Sequence, residues 1–377
     1  MNVVHICDKF GVRGSTVHGA ARLFAWWLPR FDHERFNVKL YAVKRPDPSS
    51  RALEAEGLQM SYLGKSAFDP STLTSFLSVI RREQADILHV HGWIASNFGR
   101  IAGRLTGVPT IMHEHGVDPS FPMSQRLADR IMSPFTHTAV AVSESARNFL
   151  ISHRSVSPRK IRVIYNGAPL GEFSRAAPVL VAQARKEFGI APSSRIVGVI
   201  GRLDTQKGIT YFIKAAQHVL DAASEDVRFL IIGDGPKRQE LEQEASELGL
   251  AGSVLFTGHR SDVPVIQSLL DVQVFPSLWE GVPLTIFEAM AMRRAIVSTN
   301  VDGLGEVLND GEDSLIVDPA NPEKLAAGIL KLLFDRELAD KLRAGAAKQS
   351  EKFDISQTVR NLESLYEELY AAPRNER

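Results

Sequence analysis

Short apolar runs alternate with amphipathic stretches over the first 170 residues. Val3–Ile6, Val38–Val43, Ile87–Val90, Thr110–Met112 and Thr138–Val142 are brief and apolar and predict strands. Segments near 17–29, 70–84, 94–106 and 143–153 carry apolar residues at helical spacing and predict helices. The second part repeats this logic. Strands are expected at Ile196–Ile200, Val227–Ile232, Val254–Thr257, Val272–Phe275, Ala295–Ser298 and Ser314–Val317. Helices are expected at Gly208–Ala223, 236–248, Ser261–Leu270 and Leu284–Met292. Alternation of this kind predicts parallel sheets covered by helices on both faces. The chain has 377 residues, too many for one ordinary core. Two doubly wound, Rossmann-like α/β domains with a cleft between them are expected, over 1–170 and 171–355. The tail, about 322–371, is polar and helical in pattern.

Charge adds an asymmetry that the net value of zero conceals. Residues 1–170 hold 21 Lys+Arg and 13 Asp+Glu, and the remaining 207 hold 23 and 31. Nine of the eleven histidines also lie in the first part. A basic first half suits either an anionic lipid surface or acceptor, or a second domain of opposite charge. Nucleic acid is not expected as a partner. The single cysteine, Cys7, excludes an intramolecular disulfide and a multi-cysteine metal site. No apolar run is long enough to span a bilayer. The first residues read as a strand rather than a leader. A cytoplasmic location, with peripheral contact at the inner face of a membrane through the basic half, is the expectation.

The most informative string is Trp279-Glu280-Gly281-Val282-Pro283-Leu284-Thr285-Ile286-Phe287-Glu288-Ala289-Met290. It leads from the strand Val272–Phe275 into a helix starting near Leu284. Pro283 suits the first helical position, where its missing N–H would have no partner anyway. The free N–H groups of that first turn attract anions. Glu280 lies before this site and Glu288 about one turn inside the helix. Two carboxylates would repel a bare phosphate, but they accept hydrogen bonds from hydroxyls. A ligand bearing both phosphate and many hydroxyls is a nucleotide sugar. The apolar neighbours of Glu288 predict a buried carboxylate, which needs donors such as ribose hydroxyls.

Other motifs support a phosphate-bearing ligand. Gly201-Arg202-Leu203-Asp204-Thr205-Gln206-Lys207-Gly208 joins a strand to a helix. Arg202 offers a planar fork and Lys207 a point charge for phosphate oxygens. Gly233-Asp234-Gly235-Pro236-Lys237-Arg238 lacks the third glycine of a dinucleotide fingerprint and reads as a turn. Arg260, after the strand Val254–Thr257, reads equally as a contact to the base or as an ion-pair partner. His89-Val90-His91 and His113-Glu114-His115 each follow a strand, and a metal site is not the preferred reading. One histidine facing the ligand is preferred, and His115, just before Gly116, is best placed. Gly11-Val12-Arg13-Gly14-Ser15 opens the first helix, so that Gly14 and Ser15 could form an acceptor or phosphate loop. Trp26-Trp27-Leu28-Pro29-Arg30-Phe31 reads as the end of a core helix, with a membrane-touching edge as the lesser reading.

Taken together, the chain resembles the retaining GT-B glycosyltransferases with a Glu-x7-Glu motif (glycosyl transferases group 1, family 4). The resemblance rests on Gly201-Arg202…Lys207-Gly208, on Glu280-Gly281-Val282-Pro283-Leu284…Glu288-Ala289-Met290, and on Val163-Ile164-Tyr165-Asn166-Gly167 as a domain-closing segment. It implies that Arg202 and Lys207 hold the donor diphosphate, helped by N–H groups of Gly281, Val282 and Leu284 around Pro283. Glu288 would bind the ribose, and Glu280 and His115 would serve the transferred sugar. The helix at about 356–371 would return to the first domain. One departure is that Val12 and Arg13 separate Gly11 from Gly14, where the family usually has two adjacent glycines.

The implied reaction is retaining glycosyl transfer to a hydroxyl acceptor, lipid-linked or polysaccharide, with no cofactor and no metal. The cations and helix-terminal N–H groups would stabilise the departing nucleotide diphosphate. The acceptor proton would pass to that phosphate on the same face. A sugar-nucleotide epimerase or phosphorylase of GT-B type would share the pocket. A non-catalytic nucleotide-sugar binder is the third alternative.

Overall fold

The computed structural model describes residues 1–11, 19–66, 69–118 and 120–372. It divides into two compact units, one reaching Gly167 and resuming at Ile355, the other spanning Ala168–Asp354. In the first unit, strands β1 (Asn2–Cys7), β2 (Asn37–Ala42), β3 (Ser61–Tyr62), β4 (Ile87–His91), β5 (Thr110–Glu114), β6 (Thr138–Ala141) and β7 (Ile161–Val163) form one parallel sheet, ordered β3-β2-β1-β4-β5-β6-β7. Residues at alternating positions serve opposite faces. Val4, Ile6, Leu88, Val90 and Met112 pack with Phe76, Val79 and Ala95 from the helices Ser71–Arg82 and Trp93–Thr106. Trp27, Phe24 and Phe31 serve the other face, together with Tyr366 of the terminal helix Ile355–Ala371. That helix is tied into the first unit by Thr358 Oγ1, which donates to Tyr165 O at 2.9 Å, and by Arg162 with Glu368. Trp26, Trp27 and Phe31 are buried, as a core helix end requires, while Pro29 is exposed.

The second unit repeats the plan. Strands β8 (Arg195–Ile200), β9 (Val227–Ile232), β10 (Val254–Gly258), β11 (Val272–Phe275), β12 (Ala295–Thr299) and β13 (Leu315–Val317) are parallel, ordered β10-β9-β8-β11-β12-β13. Chain direction across the sheet reverses between β8 and β11. Ligands of open α/β sheets bind outside the carboxyl ends of strands at such a reversal. The loops leaving those two strands are the ones that carry Arg202, Lys207 and Glu280. The core beneath is aliphatic and aromatic, with Phe212, Ile213, Phe229, Ile329 and Leu342 closed around Val197 and Val274.

Candidate active site

After β8 the chain turns through a short 3-10 segment, Thr205–Lys207, before the helix Ile209–Ala222. The Asp204 side chain caps the turn by accepting from Lys207 N. Gly208 ends it at φ +61°, where a Cβ would lie 2.0 Å from Pro276 O. Only glycine allows the β8 loop to touch the β11 loop this closely. Leu278 N donates to Gln206 O at 2.8 Å, and the Gln206 amide reaches Trp279 O. A second loop, Gly233–Arg238, braces the first. Leu203 N donates to Asp234 O, and Lys237 N to Leu203 O, each at 3.0 Å. Gly233–Arg238 is therefore a turn packed on the β8 loop.

These loops bring Lys207 and Glu280 together. Lys207 Nζ lies 2.5 Å from Glu280 Oε1, which also accepts from Ser277 Oγ at 2.9 Å, and Gln206 Nε2 reaches Oε2 at 3.2 Å. Glu280 is 5% exposed, and these three donors make its burial tolerable. Arg202 pairs with Asp204. Each cation thus has a carboxylate partner. The short helix Asp302–Gly305 backs the Glu280 loop so closely that a Cβ on Gly303 would fall 1.2 Å from Gly281 O. Pro283 is extended at φ −71°, ψ 135° and stands just before the helix Leu284–Ala291 rather than on its first position. No side chain caps that helix start. Glu288 is buried at 4% exposure. Arg260 forms ion pairs with Glu187 and Asp262 and lies over the Phe188 ring. Hydrogen bonds to Asp262 and Glu187 raise its pKa further.

In the first unit the register gathers the histidines. β1 pairs with β4 so that His5 lies beside His89, and β4 with β5 so that His91 lies beside His113. Because strand side chains alternate, His5, His89, His91 and His113 share one face, and His115 continues it beyond β5. They are hydrogen-bonded ring to ring. His5 Nδ1 meets His91 Nε2 at 3.0 Å, His91 Nδ1 meets His115 Nε2 at 2.9 Å, and His89 Nε2 meets His113 Nδ1 at 3.0 Å. The Tyr366 hydroxyl joins His89 Nδ1 at 2.7 Å to His5 Nε2 at 3.1 Å. Burial, aided by the neighbouring imidazoles, holds His89, His91 and His113 well below the usual histidine range and pulls His5 down to about 3.

Sequence reasoning missed the acids around this array. Asp8, just after β1, accepts from Ile94 N and Ala95 N at the start of the helix Trp93–Thr106. Burial raises its pKa, opposed by those N–H groups and Arg154. Burial also raises Glu114, although Arg154 donates to it at 2.7 Å. Arg154 further binds the buried Asp129, which Arg100 also contacts. The Gly92-Trp93 turn after β4 was a signal for the Asp8 contact, since a Cβ at Gly92 would strike the Asp8 carboxyl. Gly14 and Ser15 lie outside the described residues.

Known proteins share both the sequence and this fold. The family model for glycosyl transferases group 1 matches residues 181–349, and that for glycosyltransferase family 4 matches residues 17–172. The UDP-Gal:alpha-D-GlcNAc-diphosphoundecaprenol alpha-1,3-galactosyltransferase of Escherichia coli is 28% identical over 311 residues, covering 79% of each chain. The 2-deoxystreptamine glucosyltransferase of Streptomyces kanamyceticus is 28% identical over 349 residues, covering 87% of this chain and 88% of its own. Among solved structures, Anabaena HepE in complex with UDP and glucose superposes with a TM-score of 0.83 at 21% identity, covering 97% of this chain and 99% of its own. The two family models together take in most of the sequence, and the chain belongs to the GT-B glycosyltransferases of group 1, family 4.

Proposed function

We propose that this glycosyltransferase moves a hexose from a UDP-sugar to a hydroxyl acceptor with retention at C1, without a metal ion. The observation that carries the reading is the meeting of Lys207 and Glu280 where the β8 and β11 loops touch, with Arg202 on the same β8 loop and the uncapped start of the helix Leu284–Ala291 following Glu280. As the C1–O bond breaks, the leaving diphosphate gains charge. Arg202, Lys207, the loop N–H groups of Gly281 and Val282 and the first-turn N–H of Leu284 stabilise it, at roughly 2–4 kcal/mol for each well-placed donor. Lys207 then exchanges one carboxylate partner for phosphate oxygens, and Glu280 turns toward sugar hydroxyls. Glu288 accepts from the ribose, and His115 serves the sugar side. The acceptor hydroxyl forms the new bond to C1 on the face the diphosphate leaves, and its proton passes to that diphosphate. The names of the Escherichia coli relative and the HepE complex favour UDP as the nucleotide.

The same Escherichia coli name favours a lipid-linked diphosphate acceptor. A surface of the first unit suits that substrate. The helix Met123–Met132 leaves Met123, Leu127 and Ile131 exposed along one stripe, with Phe135 beyond it and Arg130 exposed beside it. Apolar residues flanked by cations fit the interface of an anionic bilayer. The deciding experiment incubates the enzyme with UDP-hexoses and undecaprenyl-diphosphate sugars and reads the anomeric configuration by NMR. An α-linked product from an α-linked donor is expected. An inverted product, or epimerised donor without acceptor, rejects the reading.

A further inference from the structure

A second concavity lies within the second unit, at the other end of its sheet. Arg195 opens β8, Asp271 immediately precedes β11 and Arg294 immediately precedes β12, and all three line one cleft of about 880 Å³. These strands are parallel neighbours, so the cleft lies at their amino ends. The loops with Arg202, Lys207 and Glu280 leave the carboxyl ends of β8 and β11. Seven arginines, no lysine and three acids line the cleft, although acids outnumber cations 31 to 23 over residues 171–377. Three of the arginines meet acids. Arg195 pairs with Glu225 at 3.0 Å, and Arg336 and Arg343 share Asp340. Carbonyls hold two others. Arg185 Nη1 donates to Ala191 O at 2.8 Å, and Arg294 donates to Met292 O at 2.9 Å and Leu270 O at 3.1 Å. A carbonyl satisfies an N–H without cancelling the charge. Burial, with Arg175 and Arg343 close by, lowers the Arg294 pKa to about 10. Arg175 and Arg293 make no hydrogen bond or ion pair among the described residues. Like charges crowded into one concave wall repel, and an anion there removes the repulsion.

Arg293 adds an independent observation. The helix Leu284–Ala291 ends in a paired turn, with Arg293 N donating to Met290 O at 3.0 Å and Arg294 N to Ala289 O at 2.9 Å. Such an ending puts the residue between them in the left-handed region, and Arg293 has φ +54°. Glycine suits that position best, because it has no Cβ. The turn does not account for an arginine there, whereas the cleft that Arg293 lines does. We propose that this cleft binds a small soluble ligand bearing a diphosphate or two phosphate groups, at a site separate from the donor site. A guanidinium takes two phosphate oxygens at once, which accounts for arginine in place of lysine. The volume suits a ligand of that size. The helix that carries Glu288 starts behind the Glu280 loop and ends in this cleft, so the ligand would touch its last turn.

The test is calorimetric titration of the full-length protein with inorganic pyrophosphate, at about 0.15 M salt. Saturating UDP is present to occupy the donor loops. One pyrophosphate per chain is expected. Arg175→Ala and Arg293→Gly should each weaken it about tenfold, the loss of one charge-assisted contact. Both variants should keep the parent's melting temperature, since Arg175 is exposed and Arg293→Gly puts glycine where the turn prefers it. No binding, or binding that both variants retain, overturns the proposal. Binding that Arg202→Ala abolishes and the other two retain places the anion in the donor loops and also overturns it. Phosphatidylglycerol vesicles make a further arm. Vesicle binding that Arg175→Ala and Arg293→Gly abolish, and that pyrophosphate does not compete away, would assign the cleft to a lipid headgroup instead.

Discussion

Lys207 Nζ sits 2.5 Å from Glu280 Oε1, so a cation and an acid from two different loops hold each other in place. Ser277 and Gln206 complete the acid's hydrogen bonds. Lys207→Ala should lower kcat by about 10²–10³, because a donor aimed at developing charge is lost. Glu280→Gln removes the charge that anchors Lys207 and should cost a similar factor. The double variant should be little worse than either single one, since residues acting as a unit are not additive. Steady-state kinetics on the three variants decide it, and additive losses would show that the two act separately.

Gly303 is the hidden support of the same loop. A methyl group there would overlap Gly281 O at 1.2 Å, and backbone cannot yield as a side-chain tip does. Gly303→Ala should cost about 1–3 kcal/mol of stability. Its effect on kcat should exceed that of an equally destabilising core substitution, because the Glu280 loop is displaced. Thermal melts paired with kinetics at a temperature where both variants are folded provide the check.

The imidazole layer makes stability depend on pH. His5, His89, His91 and His113 are buried and neutral when folded, whereas unfolded histidines titrate near 6.5. Below that pH the unfolded chain binds more protons, so stability is full above about 6.5 and falls as pH drops, through to about 3 for His5. Each group contributes up to about 1.4 kcal/mol per pH unit. Denaturant midpoints should hold above about pH 6.5 and drop steeply below it. His113→Asn, if folded, should flatten the curve.

The apolar stripe allows a test at the surface. Leu127→Glu and Ile131→Glu fall on exposed positions and should change stability by less than about 0.5 kcal/mol. Binding to phosphatidylglycerol vesicles should weaken about tenfold through lost insertion and added repulsion. Sedimentation with anionic and zwitterionic vesicles measures both terms.

Much of this architecture was legible from the pattern of residues, and the exceptions have physical causes. Val227–Ile232 and Val272–Phe275 form strands over the expected residues because each is mostly apolar, broken only by Arg228 and Gln273, and almost wholly buried on both faces. β3 and β7 escaped notice because edge strands of two and three residues are too short to show a period. The helix Met123–Met132 escaped because its sole buried residue is the charged Asp129. Lys207 and Glu280 could be assigned to neighbouring loops, but their ion pair could not, since nothing local encodes the distance between two loops. The histidine array was half visible. Two His-x-His strings lay in plain sight, but the register that adds His5 and the helix that adds Tyr366 are long-range facts.

The placement of Tyr366 has a temporal side. The first unit is made of two stretches that flank the second one in sequence. A ribosome delivers all of Ala168–Asp354 before it delivers Ile355. The default for multidomain chains is completion from the N-terminus onward. Here the order is inverted: the domain begun first is finished last, and until the final helix arrives, His5 and His89 face each other across a missing hydroxyl.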